Sequence, residues 1–228
     1  MTGPSAPPVR PLELGDIADL RAYERVRDAY RARIIELKRR RRVALGPIVS
    51  LVFENHETVR FQVQEMARAE RIVTDEGIRE ELDVYNQLLP GGGELSATLF
   101  IELTSEAELR HWLPRLVGIE RAVGIELSDA TVVASRPEYR HAEALTREEV
   151  TPAVHYVRFA FTPAQVERFS GGTAALLSTH PEYRARTELS GLTVAELLDD
   201  LRAPAALEPL GVVEDAAPPG VSSGPGRR

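Results

Sequence analysis

The tetrapeptide Pro90-Gly91-Gly92-Gly93 constrains the fold of this chain more than any other feature, because hydrophobic spacing changes across it. Proline cannot continue a helix and three glycines add backbone freedom that destabilises one, so a helix has to stop there. Upstream, most apolar residues recur at steps of three and four; downstream the period falls toward two. Helices and strands segregated in this way bury their apolar faces by laying the helices on a sheet.

Leu20, Tyr23, Tyr30, Ile34 and Leu37 share one face of a helix expected from about Asp16 to Arg42, with Asp16 or Asp19 as its cap. A turn at Gly46-Pro47 and a buried strand from Ile48 to Phe53 follow. Two further helices are expected to form an antiparallel hairpin. Val59, Val63, Met66 and Val73 make the stripe of the first, and Ile78, Leu82, Tyr85 and Leu89 that of the second. Beyond the glycines, strands are expected at 94–103 and 153–161, with hairpins at 122–134 and 174–189. Short helices are expected at 105–116, from Thr162-Pro163 to Gly171-Gly172, and at 193–202. The pattern predicts a single α+β domain over residues 15–203: a largely antiparallel sheet with a helical hairpin and a long N-terminal helix packed on it. Residues 1–14, which hold four prolines, read as a flexible tail, and 204–228, rich in Ala, Pro, Gly and Ser, as a disordered one.

Composition removes several chemistries. With no cysteine there is no disulfide, thiolate zinc site, cysteine-ligated cluster or cysteine nucleophile. A net charge of -7 and an aromatic content of 6% argue against general binding of nucleic acid. The apolar run after the arginines is too short to span a bilayer. Neither G-x-S-x-G, G-x-G-x-x-G, a P-loop nor H-E-x-x-H occurs. The charge is uneven, however: between Arg21 and Arg42 stand ten basic residues against three acidic ones. This density either complements the negative end of a helix dipole or forms a docking face for an acidic partner.

The hairpin carries the densest polar set. Glu65, Arg68 and Glu70 lie on its first helix, Asp83 and Asn86 on its second. Stepping by three and four from Val59 lands on Glu70, and a carboxylate on an apolar seam needs a hydrogen bond, a cation or a metal. Among the histidines at 56, 111, 141, 155 and 180, His155 sits within a strand and His180 at a turn facing the sheet. The candidate pocket, between hairpin and sheet, therefore comprises Glu65, Arg68, Glu70, Asp83, Asn86, His155 and His180. No cofactor is expected; iron or manganese held by the carboxylates is the alternative.

Six strings together resemble domain-of-unknown-function family 3501, an uncharacterised bacterial family. They are RRVALGPIVSLVFEN (Arg41 to Asn55), QVQEMARAERI (Gln62 to Ile72), EELDVYNQLLP (Glu80 to Pro90), ELSATLFIEL (Glu94 to Leu103), AVHYVRF (Ala153 to Phe159) and HPEYRAR (His180 to Arg186). The resemblance spans residues 14 to 203 and carries over no catalytic or ligand residues. It implies a cytoplasmic role beside rubrerythrin-like and iron-sulfur proteins. Two functions are consistent with these features: an accessory protein that binds a redox partner, and an enzyme or ligand-binding protein using the carboxylate pocket.

Overall fold

The computed structural model of the chain describes residues 10–138, 150–202, 207 and 210. His141 lies outside them, with residues 1–9 and most of the expected C-terminal tail. The Asp19 side chain accepts the Arg21 and Ala22 N–H groups and starts α1, Leu20–Arg41. Four basic residues fill the last turn of α1, where they offset the helix dipole. Strand β1, Arg42–Leu45, follows directly and pairs with β2, Val49–Glu54. Asn55 and Thr58 form a capping box that opens α2, His56–Glu70; Thr74 caps α3, Asp75–Tyr85.

The remainder runs β3 (Glu94–Ile101), α4 (Glu106–Trp112), β4 (Val123–Glu126), β5 (Val132–Pro137) and β6 (Val154–Ala160). It ends with α5 (Pro163–Gly171), β7 (Ala175–His180), β8 (Tyr183–Glu188) and α6 (Gly191–Arg202). Eight strands form one sheet in the order β1-β2-β3-β6-β5-β4-β7-β8, and every neighbouring pair is antiparallel. The α+β class and the antiparallel sheet expected from the spacing are both present. Strand β1, hidden behind the arginine run, was not expected, nor was the curling of the sheet into a nearly closed barrel.

Strand β1 packs against β7 and β8, and one side chain adds hydrogen bonds across the gap. The Tyr183 hydroxyl at the start of β8 donates to the Leu45 carbonyl at 2.7 Å and accepts the Ile48 N–H at 3.2 Å. This ties the last strand to the β1–β2 turn. Gly46 in that turn has φ 71°, and a Cβ there would fall 2.6 Å from the Tyr183 oxygen, so both conformation and space call for glycine.

Alternation sorts the strand residues. Leu51, Leu99, Phe53, Val157, Leu95 and Phe159 face the barrel interior, where Ile125 and Leu176 join them in one apolar cluster. On the outer face of β2, β3 and β6 lie the helices. Val59, Val63 and Ala67 of α2 meet Ile78 and Leu82 of α3, while Tyr23, Tyr30 and Ile34 of α1 form a neighbouring cluster.

Residues outside the expected limits of 15–203 contact the domain. Leu12 is buried, its N–H and carbonyl bracketed by the Asn86 amide at 2.8 and 2.9 Å. Leu207 and Leu210 pack against the two helical clusters.

Candidate functional site

The expected pocket between hairpin and sheet is not formed by the residues assigned to it. Glu65 faces α1: its carboxylate takes two hydrogen bonds from Arg27, at 2.8 and 2.7 Å, and one from the Tyr23 hydroxyl at 2.7 Å. Arg27 and Tyr23 hold the Glu65 carboxyl below its ordinary range, against the opposing effect of burial. Arg68 also turns to α1 and donates to Glu24 at 2.5 Å. Glu70 and Asp83 are exposed. Asn86 is occupied by the Leu12 backbone.

The seam argument fails at Glu70 for a local reason. The apolar stripe of α2 runs through Val59, Val63 and Ala67, and the helix ends one turn later, with Arg71 at φ 57° as its cap. Glu70, the last residue of the helix, lies off that stripe and is exposed, and Val73, outside the helix, is 81% exposed.

The two histidines stay with the barrel. His155 pairs across the sheet with Leu99 and so shares its inward-facing register. The Thr151 hydroxyl lies 2.9 Å from its Nε2, and the Glu120 carboxylate 3.9 Å from its Nδ1. Burial lowers the His155 pKa from the usual 6.5, while Glu120 pulls the other way. His180 accepts the Glu182 N–H at Nδ1 and donates from Nε2 to the Val117 carbonyl at 3.1 Å, which ties the turn after β7 to the segment around Val117. Among the described residues no three His, Asp or Glu side chains gather closely enough to hold a metal ion, and no helix is long and apolar enough to cross a membrane.

The basic helix is largely neutralised within the fold. Arg27 pairs with Glu65, Arg33 with Glu57, Arg40 with Glu196, Arg41 with Asp200 and Arg42 with Glu102. Carboxylates from α2, α6 and the end of β3 thus meet much of the charge that sequence alone left open.

Those pairings outline a different site. A cleft of about 380 Å³ lies between the C-terminal halves of α1 and α6 and the start of α2. Ile34 and Leu37 give it an apolar wall; Arg33, Arg40 and Arg41 face Glu57, Glu196, Asp199 and Asp200. Arg41, only 1% exposed, anchors it. Its guanidinium donates to the Phe53 carbonyl at 2.9 Å, to the Glu54 carbonyl at 3.2 Å and to Asp200. Glu196 lies 3.6 Å from the same group. Burial raises the Asp200 carboxyl above its ordinary range and Glu196 and Asp199 add to this; Arg41 opposes them without prevailing.

Sequence spacing does contain a signal for this cleft. Steps of four, three and four from Tyr30 pass through Ile34 and Leu37 to Arg41, and steps of four and three from Thr193 pass through Leu197 to Asp200. Each stripe places an ionisable group on a buried face, whereas Glu70 is exposed at the end of α2.

Comparison with known proteins gives the molecule a family without an activity. A family profile described as protein of unknown function (DUF3501) matches residues 11–201. A crystal structure of a novel protein of unknown function from Burkholderia pseudomallei K96243 is similar, with 36% identity and a TM-score of 0.77. The match covers 84% of this chain and 100% of the other. No curated protein matches. With nearly all of the folded domain matched, the chain belongs to domain-of-unknown-function family 3501.

Proposed function

We propose that this protein is a cytoplasmic accessory protein whose working surface is the cleft between α1 and α6, and that it acts beside a rubrerythrin-like or iron-sulfur partner. The observation that supports this reading is the cleft itself. It is concave, has an apolar wall, and gathers charged groups from three elements around a buried arginine. Binding sites combine such a wall with a few oriented polar groups. The interior of the barrel is instead lined by packed apolar side chains. The partner class comes from the family resemblance.

Co-expression tests the partner directly. The tagged chain is purified at low and moderate salt together with rubrerythrin-like and iron-sulfur proteins encoded near its gene, alongside the Asp199→Arg variant, which places a cation at the cleft rim. Stoichiometric capture by the wild type and loss in the variant are expected. Absence of capture at both salt concentrations would remove the redox partner, and equal capture by the variant would move the interface elsewhere.

A further inference from the structure

We infer that the groove at the N-terminal end of α1 is a self-association surface, and that its occupant is Val73 of a second copy of this chain. The surface is separate from the α1–α6 cleft: α1 has 22 residues, which sets its two ends about 33 Å apart.

The groove has a volume of about 390 Å³. Leu14, Ile17 and Leu20 line it from the segment that leads into α1; Ile72 and Ile78 line it from the α2–α3 connection and the start of α3. All but Ile78 keep part of their surface in solvent. Val73 lines the same groove and is the most exposed large apolar side chain among the described residues.

That exposure has a local cause. Val73 precedes the Thr74 cap, the position from which an apolar side chain ordinarily packs against the residue five further on, here Ile78. Ile72 lies against α3 instead, at Gly77, where a Cβ would fall 2.5 Å from the Ile72 Cγ2. Glycine inside a helix is destabilising, and here it seats Ile72 and leaves Val73 facing outward. The chain therefore carries an apolar knob beside an apolar groove, on one patch.

Charge selects the occupant. The rim holds Asp19 and Asp75 together with Arg21, and Arg71, the cap of α2, lies two residues before Val73. Arg21 and Arg71 are exposed and, among the described residues, form no ion pair. Asp75 meets Arg79 at 3.7 Å with both side chains largely exposed. A uniformly acidic or basic partner would face like charge on such a rim, whereas a copy brings both signs. In a two-fold pair the same patch serves both chains, so each contact is made twice. Val73 and Asp75 belong to the α3 side of the groove and Arg21 to the α1 side. Seating Val73 in the groove of the second copy thus carries Asp75 toward Arg21 of that copy, and the reverse contact follows by symmetry. Apolar burial drives the association, and a patch of this size suits a reversible dimer.

The test uses the full-length chain. Sedimentation equilibrium and light scattering are read across a concentration series into the submillimolar range, with circular dichroism and Tm to confirm folding. A reversible rise from the mass of one chain to that of two is expected. Val73→Asp, at an exposed position, should keep the fold and weaken dimerisation about tenfold or more. Arg21→Asp and Asp75→Arg should each weaken it, and the double variant, which exchanges the two charges, should recover it; damage to a helix end would not be rescued in this way. Asp199→Arg, at the distant cleft, should dimerise as the wild type does, which separates self-association from partner capture. The mass of one chain throughout the series would overturn the proposal. So would a dimer that Val73→Asp leaves intact, a charge exchange that restores nothing, or a dimer lost in Asp199→Arg.

Discussion

On the inner face of the sheet, Leu51, Leu99, Leu95 and Phe159 meet other apolar side chains; on the outer face the same strands bury Ser50, Glu54, Ser96 and Thr98 beneath the helices. Inside, stability follows from area and fit, and no particular pairing is required. Outside, each polar atom needs an assigned partner. The Glu54 carboxylate, 2% exposed, accepts the Thr98 hydroxyl at 2.6 Å and the Thr58 hydroxyl at 2.5 Å, which locks β2, β3 and α2 in one register. Two layers that are similarly dry therefore tolerate change differently. The inner one accepts other apolar shapes of the same volume, whereas the outer one depends on particular hydrogen bonds.

The largest expected effect is a cavity on the inner face. Phe159, fully buried and packed at 6.1 Å on the Phe53 ring, should lose about 3–5 kcal/mol of unfolding free energy as Phe159→Ala in urea denaturation. A loss below about 1 kcal/mol would mean that the interior collapses to fill the gap.

An intermediate effect belongs to the outer face. Thr98→Val preserves volume but leaves one Glu54 oxygen without its donor, so a loss of about 1–3 kcal/mol is expected. An unchanged denaturation midpoint would show that the two faces obey the same rule.

The smallest effect belongs to an ionisable group on the inner register, His155 near the start of β6. Its folded pKa is depressed by burial, so below pH 6.5 the unfolded chain takes up the proton first. Stability should be complete above that value and fall as the pH drops from 6.5 toward the folded pKa. His155→Gln should flatten the dependence in that window, which denaturation midpoints between pH 7.5 and 5 would reveal.

Local order in this molecule is written in spacing. The seam of Ile78, Leu82 and Leu89, the stop at Pro90 and the alternation through AVHYVRF each describe a face that a short segment presents by itself. The site was far less legible, because it depends on partners remote in the chain: Glu65 meets Arg27 across 38 positions, and Arg41 meets Asp200 across 159. No periodicity encodes which arginine a carboxylate will find. Strand β1 escaped notice for a related reason: its four residues follow the arginine run, and its pairing becomes evident only once β2 lies beside it.

The bond from Tyr183 to the β1–β2 turn also bears on what the protein avoids. A sheet whose ends do not pair along a full ladder leaves lone backbone groups, an invitation for foreign strands to add. Here a phenol satisfies the Leu45 carbonyl and the Ile48 amide where such an intruder would begin. A single hydroxyl therefore acts as a guard against self-association, and its removal would be felt first as loss of solubility on storage.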